Sequence, residues 1–325
     1  MTLKIVDTTV PDKDEWADTW HQCRWATFFE SPEWCYCWEE AYADTYRADP
    51  IMFTFSDGVK AIIPGTTGKR LLGSIRIRES SPGGTYGGPI SSSNLKPEHL
   101  KLLTQKFISL VPNGFFRVNP YLLREVNISI SGDKDFTQTV FLNQKEEKLA
   151  SQLKKKGVLK DAAKARSEGF NVRITNETDL KPFMKIYFNA RQRWQKVTKM
   201  HSPAFYSCLI GCDHVDFWGC YNKEHQLVGG RIVGLGNHNV VSWQAVKDTD
   251  YMMHRLGELY HADLFWYYRN RGFTWFDLSP SGGHRGVEQF KDKFLPYRLP
   301  SPVVSQRSLL TNFINFIRSA GKRNG

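Results

Sequence analysis

The runs Val215-Asp216-Phe217-Trp218-Gly219-Cys220-Tyr221, Leu227-Val228-Gly229-Gly230-Arg231-Ile232-Val233-Gly234-Leu235 and Asn239-Val240-Val241-Ser242-Trp243-Gln244-Ala245 decide the fold class. They are rich in Val, Ile and aromatic residues, and the polar stretch Lys223–Gln226 turns the chain between the first two, so three successive strands are expected. From about Thr249 to Asn270 the period changes: Met253, Leu256, Tyr260, Leu264 and Tyr267 fall on one helical stripe. Arg271-Gly272 stops that helix, and Phe273–Leu278 reads as a buried strand. Antiparallel strands, helix, strand is a mixed α/β (α+β) order, in which a sheet carries helices on its faces.

The N-terminal half follows the same order. Trp16, Trp20 and Cys23 share one helical spacing, and Trp34, Trp38 and Ala41 share another. Between them Ser31 is placed as a cap, with Pro32 at the first helical position. Strands are expected at Ile51–Phe55, Lys60–Pro64 and Lys69–Ile77, with Asp57-Gly58 as a hairpin turn. A glycine-rich loop (Ser80–Pro89), a helix near Lys96–Leu110 and strands near Phe115–Pro120 and Thr137–Leu142 complete this half. The second half opens with a basic helix from Lys145, weakened at Gly157 and stopped at Gly169. A strand at Phe170–Thr175, a helix at Asp179–Trp194, a short helix at Gly286–Phe294 and an amphipathic helix at Leu309–Ile317 fill in the rest. The expected division is a lobe at 1–143, a second at 144–305, and a docking helix with tail at 306–325.

The chain has 325 residues, enough for about two domains, and 41% hydrophobic with 24% charged residues, the balance of a globular protein. No apolar run approaches ~18 residues, so no helix is expected to cross a membrane. The first sixteen residues carry Asp7, Asp12, Asp14 and Glu15 with no apolar block, unlike a secretory signal, and a cytoplasmic location is expected. Lys and Arg outnumber Asp and Glu 44 to 33, giving +11. That excess favours anionic partners: a nucleotide-linked or phosphorylated small molecule, tRNA, or an anionic membrane surface touched peripherally. Nothing in it points to DNA. The six cysteines contain no C-x-x-C pair, so no zinc site is expected and the thiols read as reduced packing residues.

Several segments, in order, resemble one known family. Phe29-Glu30-Ser31-Pro32-Glu33-Trp34 resembles the F-x-S-P-x-W opening of FemAB-like members of the GNAT superfamily, and Tyr86-Gly87-Gly88-Pro89 resembles their Y-G-G-P loop. The basic helix Lys155–Gly169, Gly229-Gly230 in a strand pair, Arg271-Gly272-Phe273, Phe276-Asp277-Leu278 and Gly286-Val287-Glu288-Gln289-Phe290-Lys291 match in the same order. The resemblance covers roughly residues 25 to 300. It implies two tandem GNAT-like lobes with a ligand groove, and transfer of an acyl or aminoacyl group to an amine of a cell-envelope or glycan precursor. It implies no permanently bound cofactor; the donor is aminoacyl-tRNA or acyl-CoA. The long charged helical arm of some peptidoglycan-branch relatives has no counterpart here, which leaves the donor open.

Acyl transfer to an amine needs a positioned carbonyl and positive charge or N–H donors beside the developing oxyanion. Lys291 is the first candidate, and the resemblance gives the matching lysine this charge-stabilising role; the alternative is a solvent-facing helix lysine. Asp277 ends a buried strand, where it either handles a proton or caps the next turn. Arg285, in a glycine-rich loop, is a candidate phosphate contact. Tyr86, among four glycines, is a candidate groove residue, against a plain surface turn. Arg231 and Trp243 lie on adjacent strands where a substrate groove would run. An arginine on an otherwise apolar strand requires a partner, either a ligand or a structural carboxylate. Lys156, Lys160 and Arg166 on the basic helix form either a solvated face or a phosphate-contact stripe.

Absences bear on the donor. The stretch Gln244-Ala245-Val246-Lys247-Asp248-Thr249-Asp250, which leads into the helix, has no glycine and two aspartates, unlike an ordinary pyrophosphate cradle. P-loop, dinucleotide, zinc-protease and α/β-hydrolase motifs are missing. Two readings from different classes stand: an acyltransferase, including an acyl-CoA-dependent N-acetyltransferase, and a non-catalytic RNA- or phosphoglycan-binding module on the same fold.

Overall fold

A computed structural model of the chain describes residues 2–70, 75–110, 113–130, 132–193 and 200–306. The chain divides into two compact units, Met1–Asp135 with Pro300–Gly325, and Phe136–Leu299. The boundary expected after residue 143 falls instead after 135, because the strand Phe136–Phe141 pairs antiparallel with Trp275–Asp277 of the second unit. The helix expected at Leu309–Ile317 lies outside the described residues.

The first unit runs β1 (Ile5–Thr9), α1 (Lys13–Gln22), a 3-10 turn at Phe28–Glu30, α2 (Pro32–Ala41), β2 (Tyr46–Ala48), β3 (Ile51–Phe55), β4 (Lys60–Ile63), β5 (Thr66–Arg70), β6 (Ile75–Glu79), β7 (Tyr86–Gly87), α3 (Pro97–Leu110), β8 (Gly114–Val118) and α4 (Pro120–Val126). Ser31 Oγ accepts from Trp34 N at 3.2 Å, with Pro32 in the first turn, so the cap expected from sequence starts α2. Buried Trp16, Trp20, Phe28, Phe29 and Trp34 form the core against these strands, each contributing roughly 2–3 kcal/mol by leaving water. The single strand expected at Lys69–Ile77 is two antiparallel strands, β5 and β6. Pro120, expected at a strand end, opens α4, because Asn119 Oδ1 accepts from Tyr121 N at 2.8 Å and caps a helix there.

The second unit runs β9 (Phe136–Phe141), α5 (Glu146–Lys155), α6 (Val158–Ser167), β10 (Asn171–Ile174), α7 (Leu180–Arg193), α8 (Pro203–Ile210), β11 (Val215–Tyr221), β12 (Leu227–Leu235), β13 (Asn239–Lys247), α9 (Leu256–Asn270), β14 (Trp275–Asp277), α10 (Arg285–Asp292) and β15 (Tyr297–Pro300). Its seven-stranded sheet has the order β10-β11-β12-β13-β14-β9-β15. The three runs read first in the sequence are β11, β12 and β13, antiparallel neighbours as expected. The basic helix is two helices, because Gly157 takes φ +74° between them. The helix expected from Thr249 begins only at Leu256: a 3-10 turn at Thr249–Tyr251 precedes it, and Arg255 sits at φ +56°. Leu149, Leu153, Ala162 and Ala165 of α5 and α6 pack with Leu259, Phe265 and Tyr268 of α9 in one core.

A last strand, β16 (Val303–Gln306), pairs antiparallel with β8 and completes the sheet β16-β8-β6-β5-β2 of the first unit. Each unit contains a helix connecting two adjacent parallel strands, α3 between β6 and β8, and α9 between β13 and β14. This shared order is the two-lobed architecture that the sequence led us to expect.

Candidate active site

In the second unit, parallel pairing of β13 with β14 ends at Val241↔Asp277, whereas β13 runs on to Lys247 along β12. On β13, Ser242 faces Val233 and Gln244 faces Ile232, so Trp243 is the extra residue of a β-bulge. The two strands therefore part beyond Val241 and Asp277. Ser279, held at φ +62°, crosses the opening and donates through its hydroxyl to Ser242 O at 2.9 Å. Asp277 is fully buried; its Oδ1 accepts from Ser279 N at 2.7 Å and from Thr137 Oγ1 at 2.6 Å. Of the two roles offered by the sequence, the capping of the following turn is present in this geometry.

Lys291, on α10, is buried rather than solvent-facing. Its Nζ donates to Ser279 O at 2.6 Å and to Ser281 Oγ at 3.1 Å. Through Ser279 the ammonium is anchored at the point where β13 and β14 separate. A cation fixed there, in low dielectric, acts on developing negative charge far more strongly than one in water.

Arg231 of β12 is 6% exposed and has no carboxylate among the described residues; the structural partner that would have explained it is missing. Its Nη1 donates to Ser242 Oγ at 2.8 Å and to His261 Nε2 at 3.0 Å, and its guanidinium lies over the Tyr260 ring. Nε is buried with no partner. Burial pulls the Arg231 pKa down to about 10, which keeps it a cation at neutral pH. His261 Nδ1 faces Gly257 O at 2.6 Å, an acceptor only, so Nδ1 carries the proton and Nε2 accepts from Arg231. Burial first, then the Arg231 and Lys291 charges, push the His261 pKa well below its ordinary value. With its only lone pair engaged, His261 positions Arg231 and does not serve as a base.

Arg231 lies in the wall of a cavity of about 490 Å³, bounded by the end of β13, the N-terminus of α9 and one side of α10. Lys247, Arg255 and Lys293 bring further positive charge, against one lining carboxylate, Glu258, which pairs with Lys293. Lys293 is a half-buried ion-pair partner on the cavity wall. Phe290 lines the same cavity, and Gly257 allows its close approach: a Cβ there would lie 2.6 Å from the Phe290 ring. Of the two aspartates in the 244–250 stretch, Asp248 caps a turn: its Oδ1 accepts from Asp250 N and shapes the 3-10 turn. Among the described residues, no group of three or more His, Cys, Asp or Glu side chains could hold a metal ion.

The other candidates separate. Trp243 is half-buried beside His201 and Phe205, on the bulge next to this site. Arg285 is exposed at the first turn of α10. Lys156 and Lys160 are exposed, and Arg166 forms an ion pair with Asp263 of α9. Tyr86 belongs to the first unit and is 1% exposed, packed on Phe29; the glycines around it admit a buried ring, not a surface turn. Sequence reading missed His261, Lys247 and Arg255. For Arg255 no signal existed, since a positive φ at a non-glycine residue is set by its surroundings.

No family model and no curated protein matches the sequence. Solved structures do. A crystal structure of FemX superposes with a TM-score of 0.69 at 10% identity, over 92% of this chain and 97% of that chain. The fold is FemAB-like. L-PGS from Bacillus licheniformis gives a TM-score of 0.54 at 13% identity, over 85% of this chain and 90% of that chain. The C-terminal domain of a putative lysylphosphatidylglycerol synthetase from Agrobacterium fabrum gives 0.53 at 13% identity, over 79% and 84%. These likenesses show a fold shared with FemX and with the two synthetase domains; activity has to be argued from the site.

Proposed function

We propose that this FemAB-like protein is an acyltransferase that moves an acyl or aminoacyl group onto an amine of an anionic cell-envelope or glycan precursor. The observation that carries this reading is the buried Lys291 ammonium, anchored to Ser279 where β13 and β14 part. The donor carbonyl sits at this opening, with its carrier, acyl-CoA or aminoacyl-tRNA, reaching out past the cationic cavity of Lys247, Arg255 and Lys293. The neutral amine attacks the carbonyl carbon, a C–N bond forms, and the oxyanion develops beside Lys291. Collapse expels the thiolate or alkoxide of the carrier, and the proton lost by the amine neutralises that leaving group. The kinship in fold with FemX and with proteins named lysylphosphatidylglycerol synthetase supports aminoacyl transfer as the reaction class.

The test is transfer from acetyl-CoA and from charged tRNA, assayed separately against amino-sugar and peptide amines. Turnover with one donor, reduced at least ~10²-fold by Lys291→Ala, is expected from loss of one oxyanion-stabilising group. Absence of transfer from both donors overturns the enzymatic reading and leaves the binding-module reading.

A further inference from the structure

We propose that the cavity of the second unit is built to take an oxyanion, a carboxylate or a phosphate, on the side-on fork of Arg231. The inference rests on the acyltransferase reading only for what the anion belongs to. It stands on three observations independent of Lys291.

The first is the unused half of a buried guanidinium. Among the described residues, the hydrogen bonds of Arg231 leave from Nη1, to Ser242 and His261. Nε is buried and unpartnered, and no acceptor meets Nη2 among the described residues. Nε–H and the adjacent Nη2–H form the planar fork that matches two oxygens of a carboxylate or phosphate. The residue is more than nine-tenths buried in the cavity wall, and a guanidinium buried without a counter-ion is costly unless something pairs with it.

The second is how firmly the fork is held. Ser242 precedes the β-bulge, and His261 is locked in one tautomer by Gly257 O, so Nη1 is fixed from two elements, β13 and α9. A guanidinium pinned at Nη1, with Nε buried and unpartnered, is arranged for a partner on that side.

The third is the charge of the surroundings. Lys247 and Arg255 border the cavity, and its carboxylate, Glu258, is already paired with Lys293. Arg255 is held at φ +56°, a conformation that costs energy for a non-glycine residue, at the N-terminus of α9. A cavity lined in this way favours an acidic group over an ammonium at this wall.

The anion has two sources, the transferred group itself or the phosphate of its carrier, and one experiment separates them. Binding of succinate, inorganic pyrophosphate and glycinamide is measured by calorimetry on the full chain, without turnover. Saturable binding of succinate or pyrophosphate is expected, weakened at least tenfold by Arg231→Lys, which keeps the charge and loses the fork. Succinate above pyrophosphate assigns the anion to the transferred group, and the reverse assigns it to the carrier. Should Arg231→Lys not fold, Arg255→Gln decides: affinity falls and its salt dependence flattens. Binding unchanged in the decisive variant, no anion binding, or glycinamide bound as well as the anions overturns the proposal. Anion binding with no transfer to any amine sinks the acyltransferase reading alone.

Discussion

His261 Nε2 accepts a hydrogen bond from Arg231 Nη1 at 3.0 Å, both side chains being buried in the second unit. A protonated imidazole would place two cations in contact out of water. His261 is therefore expected to stay neutral, with its proton on Nδ1, throughout the range in which an ordinary histidine titrates. Nitrogen-detected NMR of the imidazole checks this; a titration near the ordinary pKa of about 6.5 refutes the tautomer. The folded pKa is depressed, so the folded state binds fewer protons than the unfolded one as the pH drops below that ordinary value. This contribution to stability is complete above it and is lost in acid.

Glu30 produces the opposite dependence in the first unit. Its carboxylate is buried, accepting from Thr27 N, Thr27 Oγ1 and Asn119 Nδ2, and burial raises its pKa from 4.5 to about 7. Between those values the folded state holds a proton that the unfolded state has released. Stability from this group is complete below the unfolded pKa and lost as pH rises through 7, by about 3 kcal/mol in all. Chemical denaturation at pH 5 and 8 measures it; Glu30→Gln should flatten the slope between those pH values.

For Lys291 the charge itself is expected to matter. Lys291→Ala lowers kcat/KM by ~10²-fold or more, while Lys291→Arg retains part of the rate, since a cation remains at the opening. Equal loss in both variants would show that Lys291 acts by holding the Ser279–Ser281 loop and not through its charge.

Gly257 sets how close α10 approaches α9. Gly257→Ala places a methyl 2.6 Å from the Phe290 ring, and an overpacked site of this kind costs about 1–3 kcal/mol. Because Phe290 lines the cavity, ligand affinity should fall along with the melting temperature. Unchanged affinity would mean that α10 gives way without altering the cavity.

The exposed lysines of the α5–α6 region test for tRNA. If Lys156 and Lys160 meet phosphates, Lys156→Glu and Lys160→Glu each reduce affinity for charged tRNA and lower the salt slope by roughly one unit. An unchanged slope marks them as a solvated face.

The strands β11 to β13 were legible because each is a dense run of β-prone residues, and α2 because Ser31-Pro32 announces its own start. Where one residue's backbone geometry decides, the sequence was a poor guide. Gly157 and Arg255 divide segments whose apolar spacing reads as continuous helix, and Asn119 turns Pro120 from a strand end into a helix start. In the site, Arg231 was visible as a charge on an otherwise apolar strand, and Lys291 through the family resemblance. Their partners were not, because Ser279, Ser281 and His261 reach them only through the fold. Tyr86 misled for the same reason: a glycine-flanked aromatic looks alike in a surface turn and in a close-packed core.

The strand Val303–Gln306 lies beside Gly114–Val118, nearly two hundred residues earlier in the chain. While the polypeptide is being made, that edge of β8 stays unpaired until the whole second unit has left the ribosome. A message truncated before codon 303 would thus yield a protein whose second unit has its whole sheet, and whose first unit offers a bare, aromatic strand edge to any neighbouring chain.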